Sequence, residues 1–459
     1  MYWHRFIQPV TELTRRRLTI AALGMVGVGL SGCTQSDGEA PGGDDESDGT
    51  TDGDQPPNGD DDPVGDGDDQ QTDDTDDQNV DDDPEFEPDP NAANRSAIDW
   101  GEPIGNFEDW YGLAGTLATE SDTIALGDTP ALEAEIPDAT YGTVGYTFEE
   151  PFSLVTRHFS MAVRVQEPVG GQVEIRARAP GSDDRLVCSR HLPSGNRDWM
   201  RVDMGVTRAR GNPDLDNVTE LRVHVAGQEP TDVRYWIDDL RVTESTGESY
   251  AILAFYGGRE SHYETVFPLL EERGFQAAVP MNPRSIGRSG RMDIEQLREL
   301  RDAGWDICSF PSSAGALPEL REHEQERAID NVQEALVERG FEQGARHFFA
   351  PRHRMDGTTI DIVQDRHETG FLYGANSAGM PPTAPHTLPV INGGDYESSR
   401  SVILRADRHE QLVVLAFDQI GENGMSVNAF EQQLDRIESN NYAGGLNVIT
   451  PSTLVDSYL

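Results

Sequence analysis

Five polar side chains follow directly on short apolar runs. Tyr256 and Arg259 stand behind Ala251–Phe255, Arg352 and His353 behind His347–Ala350, and Asp418 behind Gln411–Phe417. A phenol, two guanidiniums, an imidazole and a carboxylate gathered at strand ends, where α/β barrels build their sites, suit hydrogen bonding to a hydroxyl-rich ligand better than hydrolysis. Metal-assisted hydrolysis asks for a cation on about three protein ligands, an open position for water and a general base within reach. Histidines occur at His262, His323, His347, His353, His367, His386 and His409, yet no two sit at ligand spacing on one element. Of these, His353 is the one expected at the mouth of a barrel. The alternative reading is that these groups fill a disused cleft.

The elements that must position them alternate between strand and helix. Ala251–Phe255 reads as a buried strand, followed by Val266–Leu270 at helical spacing and a stop at Gly274. Phe275–Val279 is the next strand; Ile294, Leu297 and Leu300 mark a helix, and a strand ends near Phe310. Glu322–Arg339 is a helix closed by Gly340, and strands at His347–Ala350 and Phe371–Gly374 flank a helix over Thr358–His367. Gln411–Phe417 and Ser426–Ser439 give strand and helix. Short connections between alternating elements predict a distorted (β/α) barrel of six or seven repeats over 250–459.

Four segments of this barrel resemble motifs of the polysaccharide deacetylase family, a carbohydrate esterase type. Ala254-Phe255-Tyr256-Gly257-Gly258 stands for Thr-Phe-Asp-Asp-Gly, and Gly304-Trp305-Asp306-Ile307-Cys308-Ser309-Phe310-Pro311-Ser312-Ser313-Ala314 for a run ending Ser-His-x-x-x-His. Phe349-Ala350-Pro351-Arg352-His353 resembles Phe-Arg-Pro-Pro-Tyr, and Leu415-Ala416-Phe417-Asp418 resembles Leu-x-His-Asp. The resemblance implies a base and a metal-binding carboxylate at positions 256 and 257 and imidazoles at 310, 314 and 417. Tyrosine, glycine, phenylalanine and alanine stand there instead, so the expectation is a barrel with no catalytic residues and no cofactor.

Ahead of the barrel, 98–245 changes to period-two alternation. Met161-Val163-Val165, Val173-Ile175-Ala177 and Leu221-Val223-Val225 each point one way, and turns are signalled at Pro168–Gly171, Pro193–Asn196 and Gly211–Pro213. This predicts a β-sandwich of jelly-roll type. Its ends, Asn106–Trp110 and Tyr235–Val242, resemble the first and last strands of carbohydrate-binding jelly-roll modules. That resemblance implies a structural calcium held by Glu108 and Asp238, since hard cations collect oxygen ligands; the alternative is two solvated acids. Trp110 and Tyr111, with Trp199, form a candidate sugar-stacking platform, the alternative being that they are core.

Residues 1–33 read as an export signal. Thr14-Arg15-Arg16-Arg17-Leu18 is a twin-arginine signature, Leu18–Leu30 is too short to span a bilayer, and Leu30-Ser31-Gly32-Cys33 resembles a lipoprotein cleavage box. Lipidation of Cys33 and a lipid-anchored place at the cell surface follow; an uncleaved short anchor is the alternative. Residues 34–97 carry about half of the net charge of −47 with almost no apolar content, and are expected to be a disordered tether. The chain has no lysine, and its remaining acid excess points to life in molar salt, where the screening length shrinks to ~3 Å. An acidic surface argues against nucleic-acid partners. Beyond Cys33, Cys188 and Cys308 are expected as buried thiols, a bridge between them needing Cα atoms within ~7 Å.

Two functional readings remain at the level of sequence. One is a surface lipoprotein with a silent deacetylase-like barrel that binds envelope or extracellular glycan; the other is an active hydrolase of acetamido or ester bonds on polysaccharide that uses a different residue set. A purely structural envelope protein is a third.

Overall fold

The computed structural model describes residues 101–459 apart from 122–129, 169, 182, 194–196, 312–314 and 439–444. The expected export signal over 1–33 with Cys33, the expected tether 34–97, and Ala314 lie outside the described residues. No helix among the described residues is long and apolar enough to cross a membrane.

The first nine strands form an antiparallel β-sandwich: β1 (Glu102–Pro103), β2 (Tyr111–Leu113), β3 (Leu117–Glu120), β4 (Leu132–Phe152), β5 (Arg157–Glu167), β6 (Gln172–Arg178), β7 (Arg185–His191), β8 (Met200–Arg210) and β9 (Val218–Glu244). Their order is β2-β4-β9-β5-β8-β7-β6, and β6 also pairs with β9. Sequence patterning treats Leu221–Val225 and Tyr235–Val242 as separate strands, whereas both belong to β9. Its early part pairs with β6 and its late part with β5, while β4 follows it with register shifts, so one bent strand serves both sheets. The alternation predicted for β5, β6 and β9 puts Met161, Val163, Ile175, Val223 and Tyr235 into the core.

The barrel strands are β10 (Tyr250–Phe255), β11 (Ala278–Met281), β12 (Asp306–Ser309), β13 (His347–Phe349), β14 (Thr369–Tyr373), β15 (Leu388–Asn392) and β16 (Leu412–Phe417), with a short β17 (Asn447–Val448). All pair in parallel, and Ala254↔Ala278 closes the ring of seven between β10 and β11. β17 pairs with the start of β10 through Tyr250 and Ala251. The helices are α1 (Phe267–Glu271), α2 (Ile294–Asp302), α3 (Glu322–Val337), α4 (Glu342–Ala345), α5 (Gly357–Arg366), α6 (Tyr396–Arg408), α7 (Val427–Glu438) and α8 (Pro451–Tyr458). Capping fixes several starts. Asp293 and Gln296 form a capping box on α2, and the Asp356 and Asp395 carboxylates accept from the third residues of α5 and α6.

Strand parity separates two layers. Ile252, Ala254, Cys308, Phe349, Phe371 and Val414 point into the barrel, whereas Leu253, Phe255, Leu415 and Phe417 point out against the helices. Cys188 and Cys308 are both buried and free.

One repeat lacks its helix. β14 and β15 are joined by residues 374–387, all of them described and none α-helical, and the sandwich packs there instead. Asp203 on β8 accepts from Thr383 N–H at 3.1 Å, Thr383 Oγ1 at 2.9 Å and Ala384 N–H at 3.1 Å. Gln411 Oε1 accepts from Val206 N–H, Arg405 donates to Val206 O, and the buried Arg190 donates to Thr387 O. Gly205 permits this approach, because a Cβ there would strike Ser377 O. A single hydrophobic cluster runs from the sandwich core to Phe348, Ile360 and Leu372 on the outer side of the barrel.

Candidate functional site

Tyr256 extends the inward parity of Ala254 and ends β10 inside the barrel mouth. Three rings meet it edge to face: Phe310 at 5.5 Å, Phe349 at 5.7 Å and His353 at 5.0 Å between centroids. Its Oη lies 3.4 Å from His353 Nδ1. Burial pushes the Tyr256 phenol well above its ordinary value and pulls His353 down to about 4. At neutral pH the pair is therefore a protonated phenol beside a neutral imidazole. So weak a base is far from the operating range in which general-base catalysis is efficient.

His353 reaches this position through a strained turn. Arg352 and His353 both adopt left-handed backbone, at φ 53° and 55°, which costs about 1–2 kcal/mol for each residue with a Cβ. The turn sets the imidazole against Tyr256 and leaves Arg352 exposed.

The rim is a second constellation. Arg259, after β10, binds Asp418, after β16, with Nε and Nη2 at 2.8 and 2.7 Å from Oδ1. The fully buried His262 braces both loops: Nε2–H donates to Asp418 O at 2.6 Å and Nδ1 accepts from Arg259 N–H at 3.2 Å. Burial pulls His262 down to about 4, which keeps this tautomer neutral. Among the histidines, sequence reasoning places only His353 at the mouth; the three-residue step from Arg259 to His262 is the available signal. Gly257 closes the remaining corner. It sits at φ 83°, Arg291 Nη1 donates to its carbonyl at 2.7 Å, and a Cβ would collide with that guanidinium.

The five residues expected at the mouth from sequence fall into neighbouring groups. Tyr256 and His353 touch, Arg259 and Asp418 pair, and Arg352 adjoins His353 on the same turn. Phe310 lies in the mouth, but the reading of Phe417 as a cavity residue is wrong. Its ring faces outward, stacked on Phe255 at 5.1 Å and edge-on to Phe430, and Ala416 takes the inward position. Among the described residues no three His, Cys, Asp or Glu side chains are grouped so as to hold a metal ion.

In the sandwich, Trp110 is 7% exposed and stacks on Tyr146 within the core, so it offers no face to a sugar. Trp199 is half-buried. Tyr111 is exposed, with Oη bonded to Thr147 and Glu220. Glu108 is exposed in a 3-10 turn, while Asp238 is fully buried in β9 with Oδ1 accepting from Asp239 N–H. The adjoining Asp239 carboxylate is held by Arg201 and Arg241, whose guanidiniums disfavour a divalent cation nearby. The exposed Tyr141, packed on His224 at 4.7 Å, was missed because nothing in the pattern of the long β4 marks it from its neighbours.

The family model described as polysaccharide deacetylase matches residues 243–370. Among solved structures, the Xyl-CE4 domain of a multidomain xylanase from the hindgut metagenome of Trinervitermes trinervoides is 14% identical, over 46% of this chain and 90% of that one, with a TM-score of 0.35. A family 4 acetyl xylan esterase from Clostridium thermocellum, in complex with cobalt, is 13% identical over 45% and 90%, with a TM-score of 0.34. The family 11 carbohydrate-binding module of a Clostridium thermocellum cellulosomal cellulase is 15% identical over 31% and 94%, with a TM-score of 0.24. No curated protein matches the sequence. The matched segment spans β10 to β13 and holds Tyr256, Phe310 and His353, so the barrel carries a polysaccharide deacetylase-like domain.

Proposed function

We propose that this chain is an exported, lipid-anchored surface protein that binds carbohydrate and does not hydrolyse it, with its barrel a degenerate deacetylase. The supporting observation is the packing of the mouth. Tyr256, Phe310, Phe349 and His353 meet ring to ring where deacetylation calls for a carboxylate and imidazoles. Arg291 stands beside Gly257, the position at which the family resemblance implies a metal-binding carboxylate. A fixed guanidinium repels a divalent cation there. What remains, aromatic faces beside the Arg259–Asp418 pair and Arg352, matches the alternation of C–H faces and hydroxyl edges on a sugar ring. The sandwich contributes a second carbohydrate-binding surface through exposed Tyr111 and Tyr141.

The test is acetate release from acetylated chitooligosaccharide and acetylated xylan in molar KCl, with zinc or cobalt supplied, alongside calorimetric titration of the same glycans. Heat of binding without acetate is expected. Stoichiometric metal uptake with sustained acetate release refutes the silent barrel, and absence of heat with every glycan refutes the binding role. Anchoring is checked separately: Cys33→Ala should release the protein from membranes.

A further inference from the structure

We propose that the outer sheet face of the sandwich is a site for anionic polysaccharide, of the class carrying uronate carboxylates. This rests on the reading that the sandwich binds carbohydrate and narrows it to a charge class.

The face is built from alternate residues of four strands whose other residues form the core. Two cross-strand rows of arginine run over it. Arg222 on β9 is directly opposite Arg176 on β6, and Val187 on β7 links that row to Arg208 on β8. Arg178 on β6 is opposite Arg185 on β7, which is opposite Arg210 on β8. Strands lie ~4.8 Å apart in the pairing direction, and like charges directly opposite one another destabilise a sheet. A chain of net charge −47 thus concentrates six guanidiniums here at a cost to its own fold.

Three carboxylates accompany them. Glu174, with an 8% exposed side chain, is shared by Arg176 and Arg208; Glu220 is shared by Arg178 and Arg222; Asp183 pairs with Arg185 at the edge. The buried Glu174 and half-buried Glu220 orient the guanidinium forks, and the Arg208 side chain stays 42% exposed. Aromatic faces complete the site. Tyr111 reaches Glu220, and Tyr141 lies on His224, itself bonded to Thr143 Oγ1.

Planar forks take carboxylates two bonds at a time, a short-range contact that survives salt better than a diffuse field does. Tyrosine faces suit the rings of a sugar polymer. A polymer with a carboxylate on each ring matches both features, whereas a duplex nucleic acid offers the tyrosines no ring face.

The experiment titrates the full-length chain in molar KCl with oligogalacturonate and with the same oligosaccharide after its carboxyls have been reduced to alcohols. The acidic form should bind at least about tenfold more tightly, and Arg208→Gln combined with Arg222→Gln should lose about tenfold, as expected when a bidentate charged contact is removed. Glu174 and Glu220 each keep one arginine in that variant, so folding is preserved. Tyr141→Ala, which leaves the ion pairs intact, should weaken both oligosaccharides. Equal affinity for the two forms overturns the anionic class while sparing carbohydrate binding. Binding to neither overturns the anionic class, and, with no heat from the acetylated glycans either, overturns the carbohydrate reading as well. Duplex DNA binding as tightly as oligogalacturonate also overturns the proposal, in favour of a general polyanion surface.

Discussion

At the scale of single residues, the two positions to which the family resemblance assigns carboxylates differ in what surrounds them. Tyr256 occupies an inward position that an aspartate would fit by parity, but Gly257 has left-handed backbone and a guanidinium against its α-carbon. Gly257→Asp should therefore destabilise the protein by about 1–2 kcal/mol, from backbone strain, since the Arg291 guanidinium is the movable end of a long side chain. Combining it with Tyr256→Asp should restore neither metal uptake nor acetate release. Thermal unfolding and metal analysis check both; a stable, metal-binding double variant would show that the corner can reopen. The mouth residues were legible because each ends an apolar run, where a strand must stop. Phe417 was not, because Leu412–Phe417 is buried on both faces and carries no alternation to tell inward from outward. Reading it by motif order alone assigned it to the wrong face.

Among the elements, the decisive feature is the absence of a helix between β14 and β15. The strand β15 and the helix α6 escaped the sequence reading because Pro389 interrupts the one and the Asn392-Gly393-Gly394 turn reads as loop ahead of the other. The apolar spacing of Val402, Ile403 and Ala406 on α6 was there to be found. No local pattern could reveal that a sandwich strand some 180 residues away covers the gap, since the contact is made by polar groups ordinary in either domain. Asp203 carries much of it. Burial raises its carboxyl, while Thr383, Arg201 and Ala384 stabilise the ionised form. Asp203→Ala leaves two buried backbone N–H groups and a hydroxyl unpaired, so a loss of about 2–4 kcal/mol is expected. Sandwich and barrel should still melt together, because they share one hydrophobic cluster. Calorimetry decides: two separated transitions in the wild type would show that the domains fold independently.

The whole molecule joins a strongly acidic exterior to buried neutral imidazoles, and the two respond oppositely to acid. His158, His224, His262, His353 and His409 are pulled down to about 4 and His367 to about 3, burial being the leading cause in each. An unfolded histidine titrates near 6.5, so between pH 6.5 and about 4 the unfolded chain binds protons that the fold refuses. Their stabilising effect is complete above pH 6.5 and is lost as pH falls through this window. Asp203 and Asp306, raised by burial, favour the fold toward the acid end and offset part of the loss. In dilute buffer, protonating surface carboxylates also relieves the repulsion of a chain at −47 and would mask the histidines. Molar KCl removes that mask, because screening to ~3 Å leaves buried groups as the main titrating contribution. At ~1.4 kcal/mol for each pKa unit, even a fraction of these shifts amounts to several kcal/mol. The unfolding temperature in molar KCl should therefore fall by about 10 °C between pH 7 and pH 4.5, with a shallower fall in dilute buffer. A profile that is flat in molar salt would mean that these imidazoles are protonated in the folded state, and would remove the neutral Tyr256–His353 pair from the mouth.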